Sequence, residues 1–81
     1  MSHEELKVRM QQRPFVPFRI VLTEGTPYDI RHPELFMLGK RSATIGLAKD
    51  PEQTFYDATV LVDLFHIVRL EPLDAATPTS N

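Results

Sequence analysis

Between Pro17 and Pro33 the apolar and polar positions alternate in a way that tests how two strands can pair. The stretch reads PFRIVLTEGTPYDIRHP. Residues directly opposite across an antiparallel pair carry their side chains on one face. A two-residue loop at Glu24-Gly25 would set Ile20 against Asp29 and Phe18 against Arg31, mixing core with charge. A three-residue loop, Thr23-Glu24-Gly25, avoids this if Gly25 is left-handed and closes a type I turn with a G1 bulge. Phe18 then faces Ile30, Ile20 faces Tyr28, Leu22 faces Thr26, and Arg19 faces Asp29 as an opposite-charge pair. The pattern predicts that hairpin.

Around it the chain punctuates itself. Ser2 and Glu5 form a capping-box pattern before a short helix to about Gln12, with Leu6 and Met10 on one face. Pro14 ends the helix. Beyond the hairpin, Pro33 bends the second strand, which resumes over Glu34–Leu38; a single helical turn opening at Pro33 is the alternative. Turn residues at 39–42, a polar loop at 49–53 and a tight turn capped by Asp63 separate the remaining strands. Strands are expected at 17–23, 26–38, 43–48, 55–62 and 67–71, with Phe18, Ile20, Leu22, Ile30, Val60, Val62 and Leu70 in the core. Residues 1–74 make one domain, and 75–81 a small, polar, disordered tail. The fold class is mainly β: an N-terminal helix, then five strongly bent antiparallel strands closing into a small barrel that leaves no exposed edge.

Composition narrows the functions. A chain of 81 residues buries only about 60% of its unfolded surface, so oligomerisation is a ready source of further burial. It has no cysteine, which removes disulfides, thiolate metal sites and thiol nucleophiles together. No apolar run reaches the roughly 18 residues of a membrane span. The first ten residues carry acids and no apolar h-region, so a cytoplasmic address is expected. The net charge of −2 hides a basic stretch from Arg13 to Arg41 and an acidic one from Asp50 to Asp74; that balance does not favour non-specific phosphate binding. His32, His66 and Glu34 lack metal-ligand spacing. Asp57 and Asp63 read as a strand residue and a turn former, the serines lie outside any nucleophile elbow, and the glycines are isolated. No metal, no cofactor and no catalytic residue is expected, so the chain does not read as an enzyme.

The helix ending in Arg-Pro, the strand RIVLTEG, the bent strand YDIRHPELFML and the closing VDLFHIVRLEP follow one another in a familiar layout. From Leu6 to Pro72 that layout resembles the Sm/Hfq-like family of small β-barrels. The segments RPFVPFRIVLTEG, IRHPE and DLFHIVRLEPL also look like a group of small bacterial proteins, a resemblance that brings no activity with it. The Sm-like resemblance implies a homo-oligomer in which Phe55–Val62 of one subunit pairs with Ile67–Leu70 of the next. It also implies an RNA site in which Phe36 and His66 keep the family's aromatic and histidine, with Arg31 as the nearest additional charge. Leu35 and Phe65 stand where that site has its glutamine and lysine, which weakens uridine and phosphate recognition. The expected function is a non-catalytic, self-assembling interaction module that binds RNA or a protein partner. The alternative is a structural or accessory subunit of a larger complex without nucleic-acid binding.

Overall fold

In the computed structural model, which describes residues 2–73, helix α1 (His3–Gln11) starts where its capping box predicts. The Ser2 hydroxyl accepts from the Glu5 N–H at 3.2 Å, and the Ser2 N–H donates to the Glu5 carboxylate at 3.3 Å. Two of the helix's orphan donor positions are satisfied in this way. Leu6 is fully buried and Met10 packs beside the core, so a narrow stripe holds the helix down while Val8 faces outward. Among the described residues no helix is long and apolar enough to cross a membrane. The tail expected to be disordered, residues 75–81, lies outside the described residues.

Six strands follow among the described residues: β1 (Phe18–Leu22), β2 (Pro27–Ile30), β3 (Phe36–Leu38), β4 (Ser42–Leu47), β5 (Ala58–Asp63) and β6 (Ile67–Pro72). They form two antiparallel three-stranded sheets, ordered β2-β1-β6 and β3-β4-β5. The hairpin has the register its parity dictates: Phe18 opposite Ile30, Arg19 opposite Asp29 and Ile20 opposite Tyr28. The Leu22 N–H donates to the Thr26 carbonyl at 2.9 Å, and Gly25 takes a φ of 101°, which a Cβ would resist. Leu22–Thr26 is thus a hydrogen-bonded pair, and every second pair from it is the same. Pro27 falls at a position between these, where its missing N–H costs β1 nothing.

Several expectations of the fold are corrected. The strand expected over 26–38 is two strands, because Pro33 opens a 3₁₀ turn, η1 (Pro33–Leu35), that separates β2 from β3. Proline cannot donate to a ladder, and its fixed φ suits the first helical position. The Phe36 N–H then closes the turn on the Pro33 carbonyl. Among the described residues the strands also stay in two sheets: no closed barrel forms, and β5 and β6 remain sheet edges. A second 3₁₀ turn, η2 (Leu64–His66), carries the chain from one sheet to the other, with the Asp63 carboxylate accepting from the Phe65 N–H at 2.9 Å.

The core lies between the sheets. Phe18, Ile20, Leu22 and Ile30 enter it from the first, Phe36, Ala43, Ile45 and Val62 from the second, and Leu6, Leu64 and Ile67 complete it. Val60 and Leu70, expected inside, are only half-buried. Both face inward by parity but stand on edge strands, where no further strand covers them. Strand β5 begins at Ala58 rather than Phe55. The Asp57 carboxylate instead accepts from the Lys49 N–H and the Gln53 amide, each at 3.2 Å, holding 49–57 as a loop. Gly46 serves a close approach, since a Cβ there would lie 3.0 Å from Tyr56 Cβ and 3.1 Å from Leu35 Cδ2.

Candidate functional site

The strand edges carry backbone groups that the sheets do not use. The Leu64 N–H donates to the Arg41 carbonyl at 2.9 Å. Counting by twos from that contact, Val62, Val60 and Ala58 exchange hydrogen bonds with β4. The N–H and C=O groups of Thr59, Leu61 and Asp63 therefore point away from β4. On the other sheet, the Leu73 N–H donates to the Pro17 carbonyl at 3.3 Å, which places Glu71 and Arg69 in bonded contact with β1. Val68 and Leu70 then point their groups away from β1, and Pro72 offers only a carbonyl.

Apolar side chains gather around these edges. Leu61 is 69% exposed and sits in one cross-strand row with Thr44 and the exposed Met37. Val68 on β6 is also exposed. A cavity of about 500 Å³ runs between α1 and β6, lined by Glu5, Val8, Arg9, Gln12 and Leu70. An open edge is a template on which a strand of another chain can pair.

The three residues expected to bind RNA do not come together. Phe36 is 6% exposed, with its ring edge-on to Phe18 at a centroid distance of 6.2 Å. It is a core residue and presents no face on which a base can stack. Arg31 follows β2 and lies 3.5 Å from Asp29. His66 is exposed at the opposite end of the β1–β2 hairpin, where its carbonyl accepts from both the N–H and the hydroxyl of Thr23 at 2.8 and 3.1 Å. The Phe65 ring lies edge-on to it at 5.7 Å and is 83% exposed. The Arg41–Leu64 hydrogen bond brings the Lys40-Arg41 turn to the same end of the molecule.

Phe65 is the residue that sequence reasoning passed over. In a 3₁₀ turn, positions three apart point the same way. Leu64 and Ile67 both turn inward, which leaves Phe65 and His66 outside. Nearby, the Thr26 hydroxyl donates to the Glu24 carboxylate at 2.8 Å. That bond, helped by a backbone N–H and by His66, holds the Glu24 carboxyl below its usual range.

A second cavity, of about 380 Å³, opens beside β2 and β4 and includes Arg19, Arg31, Lys49, Asp29 and Asp50 in its lining. Its arginines are engaged by acids of the chain itself. Arg19 Nε lies 2.6 Å from Asp29, and that hydrogen bond raises the already high pKa of the guanidinium. His32 Nε2 donates to the Pro51 carbonyl at 2.9 Å, so that ring nitrogen carries a proton. Among the described residues no three His, Cys, Asp or Glu side chains cluster as metal ligands. The chemistry these surfaces offer is hydrogen bonding along a strand, apolar contact and aromatic stacking. No family model, no curated protein and no solved structure matches the chain.

Proposed function

We propose that this protein is a non-catalytic interaction module that self-assembles on a Sm-like plan, with β5 of one protomer adding to β6 of the next. The observation that carries the reading is the pair of open strand edges flanked by exposed apolar side chains. Taking β2, η1 and β3 as one strand bent at Pro33 gives the order β6-β1-β2/β3-β4-β5, a five-stranded antiparallel arrangement open between β5 and β6. Two different edges meet in such a contact, so it is heterologous, and it closes into a ring where its rotation permits. A few main-chain hydrogen bonds, each worth about 0.5–1.5 kcal/mol net, do not offset an association cost of roughly 4–15 kcal/mol. Apolar burial at Leu61 supplies the remainder.

Native mass spectrometry and light scattering test this on the purified chain. The expected result is a mass of several protomers. Thr59→Pro removes an N–H that points away from β4, so the variant keeps its own sheet and loses the added strand. It is expected to be a folded monomer. A wild-type chain that stays monomeric at every concentration overturns the assembly, and leaves the open edges to a strand of a different protein, as in an accessory subunit.

A second reading concerns single-stranded nucleic acid at the η2 end. Phe65, 83% exposed beside His66 and near the Lys40-Arg41 turn, supports it. There Phe65 rather than Phe36 stacks a base, and the two cations meet phosphate. Phe65→Ala and Lys40→Ala/Arg41→Ala should each weaken the retention of an oligoribonucleotide. Equal retention by all three proteins removes this reading.

A further inference from the structure

We infer that Leu61 of one protomer seats in the groove between α1 and β6 of its neighbour, opposite Leu70 and against Val8. The inference rests on the assembly reading above and adds to it a register and a second contact element. Its basis is parity. On β5 the residues whose backbone groups face the free edge are Thr59, Leu61 and Asp63, and their side chains lie on the outer face of the sheet, away from Val60 and Val62. On β6 the corresponding residues are Val68 and Leu70, and Leu70 lies on the inner face, opposite Ile20. Residues joined by the hydrogen bonds of a new antiparallel pair must share a face. The outer face of β5 therefore continues into the inner face of the neighbour's β6, where Leu70 borders the groove with Val8, Glu5, Arg9 and Gln12.

Among antiparallel registers, Leu61 opposite Leu70 matches the most edge residues, because it also sets Thr59 against Pro72 and Asp63 against Val68. Thr59 then donates to the Pro72 carbonyl, while the Thr59 carbonyl, opposite a proline with no N–H, is left to solvent at the end of the pair. Two exposures that the single chain leaves unexplained, Leu61 at 69% and Val8 at 60%, are covered by one contact. The groove, at about 500 Å³, is ample for a leucine side chain with the helix flank around it.

Sedimentation across a dilution series reads the result, with circular dichroism to show that each variant is folded. Val8→Asp and Leu61→Asp, both at exposed positions, are each expected to raise the half-dissociation concentration at least 10-fold. The double variant is expected to fall within about 3-fold of the worse single one, because the two side chains share a contact. The chain has no cysteine, so an engineered pair reports register without interference. In this register Val60 and Glu71 form a non-hydrogen-bonded pair with Cα atoms about 4.5 Å apart, within disulfide range. Oxidised Val60→Cys/Glu71→Cys should give a covalent ladder of protomers. If Thr59→Pro dissociates the assembly while Val8→Asp does not, the groove is wrong and strand addition stands. A ladder from Val60→Cys/Arg69→Cys in place of the first pair overturns the register. A wild-type monomer overturns the assembly itself.

Discussion

Phe36 is the residue at which packing and ligand binding make opposite demands. Its ring is 6% exposed, edge-on to Phe18, on a strand whose partner across the sheet is the buried Ile45. Truncation to alanine removes that burial, at a cost of about 3–5 kcal/mol, which includes about 0.5–1.5 kcal/mol for the aromatic pair. A chain of 81 residues has, at roughly 0.05–0.15 kcal/mol per residue, a total of only about 4–12 kcal/mol to lose. Phe36→Ala should therefore stand at the edge of folding. Phe36→Leu keeps most of the volume and should cost about 1–1.5 kcal/mol. With a urea slope of about 1 kcal/mol/M for a domain of this size, its midpoint drops by about 1–1.5 M. Urea titration followed by circular dichroism measures both. An unchanged midpoint for Phe36→Ala would refute the packing argument. So would a folded Phe36→Leu that retains less oligoribonucleotide than wild type, because a buried ring has no base to release.

Gly46→Ala should lower the melting temperature. The added Cβ meets Tyr56 and Leu35 at 3.0–3.1 Å, an overpacking cost of about 1–3 kcal/mol that exceeds the gain of about 0.4–1 kcal/mol from stiffening the unfolded chain; a higher melting temperature would show that Tyr56 moves aside freely. A double-mutant cycle on Arg19 and Asp29 should give a coupling of about 0.2–1 kcal/mol that shrinks with added salt, since both side chains are about a third exposed; a coupling insensitive to salt would contradict a solvent-screened pair. Glu24 titrates below its usual range in the folded state, so its contribution is present above the unfolded value of about 4.3 and fades as pH falls through the lowered one. Wild type and Glu24→Gln should therefore differ in urea midpoint at neutral pH and converge in acid, and a gap that widens in acid would reverse the sign.

Local constraints were the most legible part of the chain. The hairpin register follows from the identities at Phe18, Ile20, Asp29 and Arg31 alone, because a slip by one residue would put charge in the core. The capping box at Ser2 and the Asp63 cap are likewise read from neighbours three and two residues away. Pro33 was ambiguous for a physical reason: the residue that breaks a ladder also starts a helical turn, and the chain does both, with η1 followed directly by β3. Phe55 and Tyr56 look like strand residues by composition, but the hydrogen bonds of Asp57 fold them into the preceding loop. The site was least legible. Alignment with a family's loop put Phe36 on the surface, whereas its place beside Ile45 and Phe18 puts it inside. The neighbours of His66 depend on the pairing of β4 with β5, which no local pattern shows.

The pairing of β1 with β6 bears on how the chain folds. Strands β3, β4 and β5 are consecutive, so each finds its partner as soon as both have been synthesised. Strand β1 lies at the centre of its sheet, yet one of its two neighbours is separated from it by the whole second sheet, with Phe18 opposite Pro72. The closure entropy of so long a connection grows only slowly with its length, so the penalty falls on rate more than on stability. Until β6 appears, the backbone groups of Arg19 and Val21 that later bond to it stay bare, and a chain stalled after β5 exposes the middle of a sheet. Such a chain is open to pairing with other nascent chains, and the strand that ends this exposure is β6.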